Sequence, residues 1–174
     1  MKNLLLFLTV ILTISCNSEM KTLKTVEDVQ LDKYLGKWYE IARLPNRFEK
    51  GLICVTAEYS TRPDGKIKVL NSGRKEDNID KLKIATGKAW FPDKQISGQL
   101  KVQFFWPFSG DYYIFHLDKE NYQYALVGDP SRKYFWILSR TPSIDDKLYD
   151  SLMSIAKKND FAIEKIYKTP QNCQ

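Results

Sequence analysis

The sequence predicts an all-β fold of eight antiparallel strands, as an up-and-down barrel or a sandwich, with one helix near its C-terminal end. Three observations predict it. Short apolar-alternating segments recur from residue 37 to residue 140, separated by turn-rich stretches such as "RPDGK", "EDNID", "FPDKQISG", "WPFSGD", "DKEN" and "GDPSRK". The alternation has a period of two, so each segment offers one face to a core. A single helical apolar stripe follows, in "SIDDKLYDSLMSIAKK".

The N-terminus comes first in chain order. Lys2 is followed by an apolar run from Leu4 to Ile14, too short to span a bilayer as a mature helix, and then by Ser15 and Cys16. This reads as a secretory signal over residues 1–15. The stretch "TISC" resembles the bacterial lipobox, whose cysteine becomes lipidated and N-terminal; Thr13 stands where that motif prefers Leu. The resemblance implies lipidation of Cys16. An ordinary signal peptide with an incidental cysteine is the alternative. Residues 16–30 then form a lipidated N-terminus and polar tether, and the folded domain is expected over 31–174, opening with a helical turn at "LDKYLG".

Strands are expected at 37–44, 53–61, 66–74, 81–91, 98–106, 111–118, 122–128 and 133–140. Alternation assigns their inner faces. Val55, Ala57 and Tyr59 share a side, as do Ile67, Val69 and Asn71, then Gly87, Ala89 and Phe91, then Leu100, Val102, Phe104 and Trp106. These faces mix large aromatics with Gly, Ala and Asn. A packed sandwich would prefer uniformly bulky inner faces, whereas small residues opposite large ones leave room for a ligand. Taper matching in a filled barrel is the other reading. Of Tyr112 and Tyr113, only one can face inward.

The helix is expected to start after Ser143, with Leu148, Leu152, Ile155 and Ala156 as its apolar stripe and Lys157 and Lys158 at its negative end. The outer barrel wall, at Phe135 and Ile137, is the natural partner for that stripe. A last short strand is expected at "AIEKIYK".

Composition narrows the function classes. A formal charge of +6, from 27 basic and 21 acidic residues, is a mixed surface without the clustered basic motifs of nucleic-acid binding. The chain has one histidine, His116, read as a plain strand residue. No metal-ligand spacing, nucleophile elbow or phosphate-binding glycine loop occurs. No enzyme activity, metal or cofactor is therefore expected; a cavity enzyme acting on a lipid is the alternative. Cleavage before Cys16 leaves Cys54 and Cys173, and two cysteines in an exported chain favour one disulfide over a reactive thiol.

Two stretches carry a family resemblance. "YLGKWYEIARLPNRFEKG" is similar to the first signature of the lipocalins, Gly-x-Trp with its flanks, and "YFWILSRTP" to their third, with Arg140 as its basic residue. "YALVGDP" resembles the segment after the second signature, where Leu117-Asp118-Lys119 keeps the usual Thr-Asp-Tyr only in part. The resemblance covers about residues 30–173 and is nearest to the bacterial outer-membrane lipoprotein lipocalins and apolipoprotein D. It implies an eight-stranded antiparallel up-and-down barrel, open at one end, with the C-terminal helix packed on its outside. It implies that Arg140 packs across Trp38 at the closed end, and that Cys54 and Cys173 are joined.

With Arg140 pointing in, alternation places Tyr134, Trp136 and Leu138 on the inner side, and Trp136 matches a cavity-lining tryptophan of the apolipoprotein D relatives. Tyr59, Asn71, Phe91, Phe104 and Trp106 complete the expected ligand-binding set. Glu40 shares the side of Trp38 and reads as a hydrogen-bonded wall residue. The resemblance implies a fatty acid or lysophospholipid as ligand, and storage or transport of lipid at the cell outer membrane, with the protein held there through lipidated Cys16. Asn17, in place of the Asp that retains many lipoproteins at the inner membrane, agrees with that destination.

Overall fold

The computed structural model describes residues 21–173; the signal segment and Cys16 lie outside the described residues. A helical turn α1 (Leu31–Tyr34) leads into eight strands: β1 (Gly36–Arg43), β2 (Leu52–Thr61), β3 (Ile67–Lys75), β4 (Asn78–Trp90), β5 (Gln99–Phe105), β6 (Phe108–Leu117), β7 (Tyr124–Gly128) and β8 (Phe135–Ser139). Helix α2 (Asp146–Lys158) follows, then a 3-10 turn at Ile163–Lys165 and the two-residue strand β9 (Tyr167–Lys168).

From β1 to β8 every consecutive strand pair is antiparallel and hydrogen-bonded, and β8 returns to β1, which closes an eight-stranded barrel. The sandwich alternative is thereby excluded. β1 serves two neighbours in turn on one side. Gly36–Tyr39 pairs with β2, and after β2 diverges, Ala42 and Arg43 pair with β9. β4 and β5 hold together only over Lys88–Trp90 against Lys101–Gln103, so above that level the wall is parted.

Two apolar clusters result from the period-two alternation. One fills the lower barrel, around Trp38, Tyr34, Val69, Ile114 and Leu138. The other lies between the outer wall and α2, where Leu152 and Ala156 meet Leu126, Phe135 and Ile137. The helix thus docks on the two wall residues expected to receive it. Its cap is Asp145, whose Oδ1 accepts from the Leu148 amide at 2.8 Å, rather than Ser143; an ionised carboxylate at the positive end of a helix is the stronger acceptor.

Several boundaries differ from expectation. β6 begins at Phe108, because "WPFSGD" is a tight turn followed at once by strand. "AIEKIYK" is mostly the 3-10 turn, with only Tyr167 and Lys168 in the sheet. The tether reading of residues 16–30 is corrected from Lys21 onward. Leu23 is buried, the Val26 amide donates to the Ile114 carbonyl at 2.8 Å, and the Val29 amide to Ser97 Oγ at 2.8 Å. Gly98 permits this close approach, since a Cβ there would lie 2.3 Å from the Val26 carbonyl oxygen. The segment's polar side chains face water while Leu23, Val26 and Val29 pack, a pattern too sparse to read as a period.

Cys54 and Cys173 are joined, with a Cα–Cα distance of 6.1 Å. The Cys54 amide donates to the Pro170 carbonyl, and Gln171 Nε2 donates to the carbonyls of Glu40 and Val55. The C-terminal tail therefore fills the gap where β2 leaves β1.

Candidate functional site

The barrel encloses a cavity of about 830 Å³ that opens at the end carrying the β1–β2, β3–β4 and β5–β6 turns. This is within the usual range for small-molecule sites. Its wall is mainly apolar, with Val55, Ala57, Val69, Leu100, Val102 and Leu138 contributed by strands whose alternate residues face water.

The floor is sealed from below. The Arg140 guanidinium lies 3.8 Å from the centre of the Trp38 ring, a cation–π contact of about 0.5–2 kcal/mol. The same guanidinium donates to the carbonyls of Lys33, Leu35, Lys37 and Tyr122 at 2.7–3.2 Å, which fixes α1 across the barrel base. Trp38 Nε1 donates to the Tyr34 carbonyl at 2.8 Å, so the fully buried indole leaves no polar atom unpaired. Above the indole, Tyr112 Oη bonds Tyr34 Oη and Tyr59 Oη, each at 2.8 Å. Burial pushes all three phenols up, Tyr59 to about 12, so the cluster stays neutral. Tyr112 is thus the inward member of the adjacent tyrosine pair, while Tyr113 packs outside.

Higher up, Trp136 stacks on Tyr134, with centroids 6.0 Å apart and planes 5° from parallel. Its Nε1 donates to Glu49 Oε2 at 3.0 Å, and Tyr134 in turn meets Phe48 at 6.1 Å. The β1–β2 connection, residues 44–51, therefore leans over the mouth and supplies Asn46, Arg47, Phe48 and Glu49 to its lining. Sequence alternation could not find these, because a loop has no period; their signal was proximity to "GKWYEIAR".

Of the expected ligand-binding residues, Tyr59, Asn71, Phe104, Tyr134, Trp136 and Leu138 line the cavity. Asn71 Oδ1 is buried without a hydrogen-bond partner, a free acceptor on a largely apolar wall. Two expectations are corrected. Trp106 is 86% exposed, because β5 ends at Phe105 after a register shift and the alternation ends with it. Phe91 follows the last residue of β4 and packs on the lower core without lining the cavity.

Glu40 is buried on the same wall. It accepts from Arg43 Nη1 at 2.5 Å and from Thr169 Oγ1. Loss of water, then the like charge of Glu49, raise its carboxyl from 4.5 to about 8 against the opposing pull of Arg43. Arg43 divides its charge among the carbonyls of Glu49 and Leu52 and the Tyr167 ring, which weakens that pull. The arrangement braces the β1–β2 loop and β9 against β1. Among the described residues no group of three or more His, Cys, Asp or Glu side chains is placed to hold a metal. His116 stacks on Tyr124, away from the cavity lining.

Comparison with known proteins agrees with this geometry. The lipocalin-like domain family model matches residues 29–171. The chain is 43% identical to the outer membrane lipoprotein Blc of Vibrio cholerae over 171 residues, covering 98% of this chain and 99% of that one. It is 42% identical to the Blc lipoprotein of Escherichia coli K12 over 156 residues, 88% of this chain and 87% of the other. Bovine apolipoprotein D is 34% identical over 156 residues, 84% and 80% of the two chains. Among solved structures, insecticyanin of the tobacco hornworm Manduca sexta superposes with a TM-score of 0.69 at 22% identity, covering 87% of this chain and 85% of that one, a likeness of fold.

Proposed function

The chain belongs to the lipocalin family, and on that premise we propose that it binds a lipophilic molecule noncovalently and stores or carries it at a bacterial outer membrane. The observation that carries this is the cavity of about 830 Å³, apolar on its walls and shut at its floor by Trp38 and Arg140. Burial stabilises a hydrocarbon tail by about 0.8 kcal/mol per methylene, so about ten methylenes contribute about 8 kcal/mol before the cost of association. A fatty acid or lysophospholipid fits these terms. The tail would occupy the space between Val69, Leu100 and Trp136, and the headgroup would stay near Arg47 and Lys50 at the mouth. Asn71 Oδ1 would accept one hydrogen bond from a ligand hydroxyl at depth.

We read the chain as a carrier and not as an enzyme. The hydrogen-bonded pair Glu40–Arg43 is bound to Thr169 and to backbone carbonyls of the adjoining loop, which suits bracing better than turnover. Similarity to proteins named outer membrane lipoproteins supports anchoring of the mature chain through acylated Cys16, since stable attachment takes more than one acyl chain. Replacing Cys16 by Ala should move the protein from the membrane pellet to the soluble fraction; retention in the pellet would argue for another anchor.

The direct test is mass spectrometry of lipids released from protein purified out of native membranes. Stoichiometric recovery of one lipid class, absent from a Trp136→Ala preparation, is expected. Recovery only of lipids in bulk-membrane proportions from both would contradict the carrier reading.

A further inference from the structure

The strands order the two ends of the barrel unequally. Nearly every large apolar side chain exposed among the described residues stands at the open end, with Ile96 alone at the other. Phe105, Trp106 and Phe108 are 72%, 86% and 78% exposed on the tip of one hairpin. Phe48, on the β1–β2 loop, is 57% exposed and borders the same cavity as Phe105 and Phe108, and Leu82 and Ile84 stand on the upper part of β4. By contrast, the turns of the closed end are "RPDGK", "FPDKQISG" and "DKEN", polar and of mixed charge. Monomeric proteins seldom expose a contiguous apolar patch of this kind without a partner for it.

The N-terminal segment says which partner. The Arg132 guanidinium, in the β7–β8 turn at the open end, donates to the Lys21 carbonyl. From there the chain runs along the outer wall to Val29 and the closed end. The described chain therefore starts on the side of the mouth, and Cys16 is five residues further, a reach of at most about 18 Å. The β5–β6 hairpin extends five residues, Phe108–Tyr112, past the Tyr113–Gly128 pair that ends β7, or about 16 Å along the strand. The tip and the anchor can thus meet one plane.

We propose that the protein docks mouth-first on the bilayer to which it is anchored, with Phe105, Trp106, Phe108 and Phe48 seated between the headgroups and the acyl chains. This rests on the reading of Cys16 as the acylated anchor. Tryptophan and phenylalanine favour that depth, and the aromatic rim supplies a second attachment beside the acyl chains. Lys50, Lys75 and Lys83 line the mouth and face anionic headgroups there. The parted wall above Lys88 and Gln103, bordered by Ile84 and Phe104, then opens the cavity sideways to the hydrocarbon, so a lipid tail passes inward without crossing water.

The test uses the mature acylated protein in phosphatidylethanolamine–phosphatidylglycerol vesicles that contain lipids brominated near the glycerol end of the acyl chain. The Trp106 emission, obtained by difference from Trp106→Phe, should be quenched by the brominated lipid and shielded from aqueous iodide. The double variant Phe105→Asp with Phe108→Asp, at exposed sites that leave the fold intact, should reduce that quenching by about fivefold while the protein stays anchored. Trp106 emission quenched by iodide and indifferent to brominated lipid would overturn the proposal, as would quenching unchanged in the double variant. Displacement of a fluorescent fatty acid, measured on the same samples, separates the two readings. Intact displacement with no bromine quenching removes the docking orientation alone, and lost displacement with quenching retained removes the carrier reading alone.

Discussion

At the scale of single residues, the chemistry of the cavity is decided by a few polar atoms in an apolar wall. Trp136 is held by a carboxylate at its nitrogen and by a tyrosine at its face, which fixes a large flat surface over the cavity. Trp136→Ala should lower fatty-acid affinity about tenfold or more, consistent with the loss of an aromatic contact, with a smaller change in stability; equal affinities in a titration would remove Trp136 from the site. Glu40 makes a different prediction. Its carboxyl is raised from 4.5 to about 8 by burial and by Glu49, so between those values the folded chain keeps a proton that the unfolded chain releases. Stability from this group is therefore complete below about 4.5 and is lost as pH rises to about 8. Glu40→Gln, which still accepts from Arg43 and Thr169, should flatten that part of the pH profile in chemical denaturation. A difference between the two proteins that is constant from acid to alkaline pH would show that Glu40 does not titrate in this window.

At the scale of elements, period two was enough to place most strands and their inner faces, and period 3.6 to place α2 and its stripe. Alternation stopped being informative where strands stopped. Trp106 continued the pattern of Leu100, Val102 and Phe104 in sequence but stands beyond the end of β5. Residues 44–51 and 21–30 have no period at all, yet the first roofs the cavity and the second packs along the wall. What positions them is tertiary: Trp136 Nε1 donates to Glu49, Arg132 donates to the Lys21 carbonyl and the Val29 amide donates to Ser97 Oγ, each across a long stretch of chain. The C-terminal tail is tied in by the disulfide, which closes a loop of 119 residues. The double replacement Cys54→Ser with Cys173→Ser should cost about 5 kcal/mol in denaturant unfolding, by the loop-entropy estimate. An unchanged midpoint would mean that Gln171 and β9 hold the tail by themselves.

At the scale of the whole molecule, the barrel divides into a packed lower half and a hollow upper half. The first and third signatures meet at the lower seal, where Arg140 covers Trp38 and binds the carbonyls of α1. That pairing was legible from "GKWYE" and "YFWILSR" through family resemblance, since the two segments lie about a hundred residues apart and no local rule joins them. The hollow was legible only as small residues among large ones, and its size depends on how eight strands tilt and part, which no single strand encodes. The central claim is that this space receives a hydrocarbon tail beside Trp136. The most direct measurement is a fluorescence titration of the delipidated protein with a fatty acid brominated at mid-chain. Saturable quenching at one ligand per chain, reduced in Trp136→Phe, is the predicted result; emission unchanged at saturating ligand, in both proteins, would contradict it.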